Sequence, residues 1–305
     1  MKEKFNELIL SGGGIKGIYF IGALEKLNTE YPLSQFKYLT GCSTGGITCS
    51  LLAIGYSIQE IKEIYFEINL IDYFDIKLTN VLENGGFSKN DKLRNLIKSI
   101  FLTKNVDYNY TFQDLYKQKN KILTLNCVNV STGKLTYMNV HETPAIKILD
   151  AVLMTMNIPI IFSLINHNNQ YFTDGAVLDP YPYYYHKNTI KFGMIIVDND
   201  LFNILNDLNL DNIHPNINIF ENFYRLFGII YNNYLKNFYR KKFKNTIYFK
   251  IDSQLSMMNI QHEHKLKIFN TGNEKMSIFL KKKYKIHHKY YLLKKYFHLL
   301  LFLLR

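Results

Sequence analysis

Leu8-Ile9-Leu10-Ser11-Gly12-Gly13-Gly14-Ile15-Lys16-Gly17 is a short apolar run that breaks into glycines, and an apolar helical segment follows it from about Ile18 to Leu27. With Glu7 the run reads as a strand. The same grammar then repeats. Phe36-Lys37-Tyr38-Leu39-Thr40 reads as a second short strand, Gly41-Cys42-Ser43-Thr44-Gly45-Gly46 as its turn, and Ile47 to Ile54 as the helix after it. Strand, turn and helix twice in succession predict a parallel sheet with helices on its faces.

Further elements extend the pattern. Ser57 with Glu60 three positions on is a capping box, and Ile58, Ile61, Tyr65 and Ile68 recur on one helical face behind it. Residues 72–120 are mixed and rich in Asn and Lys, broken by Gly85-Gly86, and yield no assignment beyond helix and loop. Ile122 to Val128, the turn Ser131-Thr132-Gly133-Lys134 and Leu135 to Met138 read as a hairpin. Thr143-Pro144 opens a helix expected to end before Pro159. Tyr171-Phe172-Thr173 is a strand running into Asp174-Gly175-Ala176, and Phe192 to Val197 and Thr246 to Ile251 read as buried strands. There is no internal repeat.

Composition bounds the class. With 305 residues, 47% of them apolar and 15% aromatic, the chain is neither disordered nor fibrous. Three cysteines without C-x-x-C spacing support neither a disulfide framework nor a cysteine zinc site, which points to a reducing compartment. The net charge of +12 is localised: residues 201–305 hold 18 Lys+Arg against 6 Asp+Glu, whereas the first 200 hold 19 of each. A neutral front and a basic back suggest an attachment surface for something anionic, or a solvated face. The mixed charges of Met1 to Glu7 do not make a signal peptide, and the run Tyr296 to Leu304 is about half of what a membrane-spanning helix needs.

The two glycine turns carry the chemistry. Gly12-x-Gly14-x-x-Gly17 matches the dinucleotide fingerprint, but Thr40 and Gly41 stand where that reading requires an acidic residue. A phosphate-binding Walker loop fails as well, because Gly17 follows Lys16. Gly41-x-Ser43-x-Gly45 has the form of a nucleophile elbow, in which small residues two before and two after the serine allow a sharp strand-to-helix turn. Ser43 would then stand at the positive end of the following helix. An acyl-transfer serine needs donors aimed at the oxyanion, and Gly12, Gly13 and Gly14 can bring bare backbone N–H groups beside it. For the base, the histidines give no candidate: His141 precedes Asp174, His186 sits among tyrosines, and His262, His264, His287, His288 and His298 lie in the basic tail. Asp174, at a strand end and followed by the small Gly175 and Ala176, is the better one. Taken alone, it reads better as a capping or turn aspartate, the fate of most Asp-Gly pairs.

Together, the glycine run, the elbow Gly41-Cys42-Ser43-Thr44-Gly45 and the triplet Asp174-Gly175-Ala176 resemble, in order and spacing, the patatin-like phospholipases. Ser131 to Lys134, Asn157 to Phe162 and Tyr181-Pro182 agree, so the resemblance covers about residues 7–187. It implies a three-layer α/β/α sandwich with a mostly parallel central sheet, a Ser43–Asp174 dyad, an oxyanion hole from Gly12 to Gly14, and hydrolysis of lipid acyl esters without cofactor or metal. Lys16, Gly17, Gly41, Gly45, Gly175 and Ala176 are the supporting motif positions. Lys16 stands where the family usually has arginine, and Asp179-Pro180 where it usually has two asparagines. Residues 188–282 are expected to complete or extend the same fold, with a helix around Lys275 to Lys283, and 283–305 to form a basic, apolar tail.

Arg240-Lys241-Lys242-Phe243-Lys244 and Lys281-Lys282-Lys283-Tyr284-Lys285 set cations beside rings, and Tyr290 to Arg305 is rich in Leu, Phe and Tyr. The expected partner is an anionic phospholipid surface, bound peripherally from the cytoplasm. Nucleic acid is the poorer reading, since no binding motif accompanies the charge, and the leucines of the tail also fit an ordinary packed helix. Some relatives depend on activators, so a protein activator of unknown identity belongs among the expected partners. Two classes of function follow: a phospholipase A type lipid acyl hydrolase, or a membrane-binding relative that is not enzymatic or needs an activator.

Overall fold

All four residues of β1 (Glu7–Leu10) are buried, as in a central strand covered on both faces. The computed structural model describes residues 4–74, 80, 86–197, 234–235, 237–250 and 260–303, with the side chains of 71 and 284–303 excepted. β1 lies between β2 (Tyr38–Gly41) and β7 (Lys191–Val197), both parallel to it. β3 (Ile122–Asn129) adds to β2 and β8 (Thr246–Lys250) to β7, again in parallel. Past β3 the sense reverses. β4 (Lys134–Met138) and β6 (Gln170–Asp174) run antiparallel to β3, and β5 (Ile165–His167) antiparallel to β6. The order is β5-β6-β3-β2-β1-β7-β8, with β4 on β3 outside that path.

The period-two alternation of strands separates two cores. Leu8 and Leu10 of β1 and Phe192, Met194 and Ile196 of β7 enter the main core with the helices. Ile9, Ile195 and Val197 point the other way, onto Tyr181 and Phe243. The helices are α1 (Ile18–Asn28), α2 (Thr44–Ile54), α3 (Ile58–Glu67), α4 (Asp91–Leu102), α5 (Phe112–Lys119), α6 (Ile148–Thr155) and α7 (His262–Leu303). α2 packs on β1, β2 and β3, while α1 lies against α3 and α7. Gly22 of α1 meets the backbone of Phe269, and Gly272 of α7 meets that of Tyr19, so neither position has room for a side chain. The mostly parallel sheet with flanking helices is the expected fold.

Several element boundaries differ from expectation, each for a local reason. The helix opened by Thr143-Pro144 begins only at Ile148, because Pro144 and Ile146 give their carbonyls to Gln113 and Phe112 and Ile148 gives its N–H to Tyr110. Ile68, read as part of the α3 face, is already extended. The unassigned segment holds α4, which buries Leu93, Ile97 and Phe101, and α5, which opens on the capping box of Thr111 and Asp114. Lys275 to Lys283 are helical, within α7. Ile251 and the side chains of Tyr290 to Leu303 lie outside what is described. Among the described residues no helix is long and apolar enough to cross a membrane.

Candidate active site

Strand register places the two chemistry-bearing residues level with each other. Gly41, the last residue of β2, pairs with Leu125 of β3. Two residues further along β3, Cys127 pairs with Asp174 at the end of antiparallel β6. Two residues past Gly41 stands Ser43. β3 is long enough to overshoot β2, and the returning strand delivers the carboxylate to the height of the serine.

Ser43 caps α2 with φ 52° and ψ −121°, a backbone conformation that costs a residue with a side chain on the order of 1–3 kcal/mol. Its side chain makes no capping hydrogen bond, so the hydroxyl is left for other work. The elbow is tight. A Cβ on Gly41 would lie 2.4 Å from the Gly45 carbonyl oxygen, and one on Gly45 would lie 2.3 Å from that of Leu10. The Ser43 N–H donates to Thr155 Oγ1 at 2.9 Å, which ties the elbow to the end of α6.

Asp174 is 3% exposed, and burial pushes its carboxyl up to about 6. The Ala176 N–H (2.8 Å) and the Cys42 thiol (3.6 Å) donate hydrogen bonds to it and, with the nearby Ser43 hydroxyl, oppose that shift. The site is therefore a dry pocket in which a carboxylate is poised to take a proton near neutrality. The Cys42 thiol is driven well up by burial and by Asp174 and Asp179, so it stays protonated and acts as a donor. Among the described residues no histidine hydrogen-bonds Ser43 or Asp174.

The glycine loop completes the arrangement. A Cβ on Gly12 would stand 3.5 Å from the Cβ atoms of both Ser43 and Ala176, so all three motifs meet at this residue. Its N–H, however, donates to the Pro180 carbonyl at 3.0 Å. Gly12 therefore has no N–H to offer an oxyanion. Gly13 and Gly14 do, since their N–H groups have no acceptor among the described residues. Lys16 is fully buried and partnered in the short turn Gly14–Gly17, Gly17 abuts Thr44, and Gly175 abuts the Asn126 side chain. No three His, Cys, Asp or Glu side chains group as metal ligands among the described residues.

Sequence reasoning missed Thr155 and noted Asp179 only as a departure from the family's pattern. Thr155 carries no motif, and only the packing of α6 on α2 brings it to the elbow. Asp179 is half-buried, its carboxyl raised by desolvation, and accepts from Tyr137 at 2.7 Å. A narrow cavity of about 80 Å³ leads away from Gly14 and Ser43. Its walls are almost wholly apolar, with Ile47, Leu51, Ile64, Leu93, Ile97 and Phe162 among them.

Known proteins share this arrangement of chain. The sequence model of the family described as patatin-like phospholipase matches residues 8–185. A probable lipid hydrolase, 463L, of invertebrate iridescent virus 6 is 29% identical over 72% of this chain and 79% of its own. A cGAMP-activated phospholipase of Escherichia coli is 26% identical over 60% of this chain, which spans about half, 55%, of that protein. In structure, VipD from Legionella pneumophila superposes with a TM-score of 0.62 over 92% of this chain and 67% of its own, at 16% identity, a likeness of fold. With the family match running over more than half of its length, the chain belongs to the patatin-like phospholipases, a family of lipid hydrolases.

Proposed function

We propose that the protein is a phospholipase A type acyl hydrolase working through a Ser43–Asp174 dyad. The observation that carries this reading is that the Ser43 hydroxyl stands beside a buried carboxylate whose pKa burial raises to about 6. Ser43 Oγ attacks the acyl carbonyl as its proton passes to Asp174, and the oxyanion forms against the Gly13 and Gly14 N–H groups. The ester bond breaks, the leaving alcohol takes the proton from Asp174, and an acyl-Ser43 remains. Water then attacks it, losing its proton to Asp174, which returns that proton to Ser43 as the fatty acid leaves.

The apolar cavity at the serine supports a lipid substrate. At about 80 Å³ it is well below the roughly 300–1,000 Å³ of ordinary ligand sites, so an acyl chain enters only as α3 and α4 part. Exposed Arg240, Lys241, Lys242, Lys281 and Lys282 give the protein cations for an anionic bilayer, each contributing about 1 kcal/mol at the surface. A second reading, that activity waits on an activator, is favoured by the relatives that carry activation by a cyclic dinucleotide in their names. A fluorophosphonate probe tests the dyad: it should label the Ser43 peptide and nothing in Ser43→Ala. Equal labelling of both proteins would refute it.

A further inference from the structure

A second cavity, about 470 Å³, opens at the other edge of the sheet from Ser43. It lies where β7 begins, at Ile190 and Lys191, and Lys191 is in register with Glu7, the first residue of β1. The active-site loops follow the opposite ends of these parallel strands. The cavity falls within the range of about 300–1,000 Å³ typical of small-molecule sites.

Its lining has one sign of charge. Lys187, Lys191 and Lys244 face it, and no Asp or Glu is among its lining residues. Lys191 is held in place: its ammonium donates to Thr189 Oγ1 at 3.0 Å and to the His186 carbonyl, and lies 3.7 Å from the buried carboxylate of Glu7. Lys187 and Lys244 are exposed, and neither has a carboxylate partner among the described residues. His186 adds no charge, because burial lowers its imidazole to about 4.

The same walls carry rings. Tyr183 is braced by its hydroxyl on the Lys244 carbonyl at 3.2 Å, and Tyr184, 68% exposed, stands edge-on to it with centroids 5.3 Å apart. Two exposed cations, one anchored cation and two tyrosine rings around a single hollow suit a phosphate attached to an organic body. The ammonium groups meet the oxygens and the rings cover the rest of the molecule.

We propose that this cavity binds an organic phosphate, separately from the catalytic site. That chemistry belongs both to free phosphorylated metabolites and to the headgroup of a glycerophospholipid. The test is titration of the full chain at low salt, followed by calorimetry, with inorganic phosphate, AMP and glycerol 3-phosphate. Saturable binding of an organic phosphate, weakened about tenfold or more in Lys187→Glu/Lys244→Glu, is expected. AMP binding more tightly than glycerol 3-phosphate would identify a free, ring-bearing ligand, and the reverse order a headgroup. Thermal unfolding followed by circular dichroism reports whether the double variant is folded. Tyr184→Ala, a change at an exposed ring, should weaken AMP while sparing inorganic phosphate. No saturable binding of any probe, or undiminished binding by the double variant, would overturn the proposal. Because the readout is binding, its failure is distinct from failure of the hydrolase reading.

Discussion

The backbone N–H of Ser43 donates to the hydroxyl of Thr155 at 2.9 Å, joining a strained turn to a helix 112 residues further along the chain. That turn aims the Ser43 hydroxyl at Asp174, so Thr155 positions the nucleophile without touching its oxygen. Thr155→Val keeps the shape and leaves a buried N–H without an acceptor, at a cost of about 1–3 kcal/mol. Turnover should fall about tenfold or more with KM little changed. Thr155→Ser should restore it. Steady-state kinetics on a soluble ester check both, and a loss confined to KM would remove Thr155 from this role.

A serine held at φ 52° is strained in a way that glycine is not. Ser43→Gly should therefore be inactive yet more stable than the wild type by about 1 kcal/mol in denaturant unfolding. Equal or lower stability would mean that the turn stores no strain.

The carboxyl of Asp174, raised by burial to about 6, makes two predictions of opposite sense. As a base it must be ionised, so the rate should rise with pH to a plateau above about 6. For stability, the folded state holds this proton more tightly than the unfolded chain, whose carboxyl sits near 3.8. Stability is thus lost as pH rises from about 4 to about 6, amounting to about 3 kcal/mol above that window. Asp174→Asn should recover much of that at pH 8, gain little at pH 4, and be inactive. Unfolding curves at the two pH values are the check, and a gain equal at both would contradict the assignment.

The apolar cavity places Ile97, 2% exposed, against the path of an acyl chain. Ile97→Phe should cut turnover of long-chain p-nitrophenyl esters about tenfold or more while acetate and butyrate esters are cleaved as before. A uniform loss across chain lengths would indicate damage to the fold instead.

Much of this was legible in the sequence wherever a local rule decides the structure. β1 was readable from the apolar run Leu8 to Leu10, β2 from its place before a second glycine turn and apolar helix, and the elbow because only small residues allow Gly41 and Gly45 to approach so closely. α4 was also there to be found, in Leu93, Ile97 and Phe101 at four-residue spacing, but the surrounding Asn and Lys obscured it. What no local rule could reach was register. That Asp174 sits level with Ser43 depends on β3 overshooting β2 and on β6 returning beside it. Likewise the Gly12 N–H, expected to face the oxyanion, is taken by Pro180, a contact between distant loops.

The most direct measurement is fatty-acid release from vesicles of mixed phosphatidylcholine and anionic lipid by the wild type, Ser43→Ala and Asp174→Asn side by side. Release by the wild type, with both variants lower by about 10⁴-fold, is the result this account predicts. Release by Ser43→Ala at the wild-type rate would contradict it.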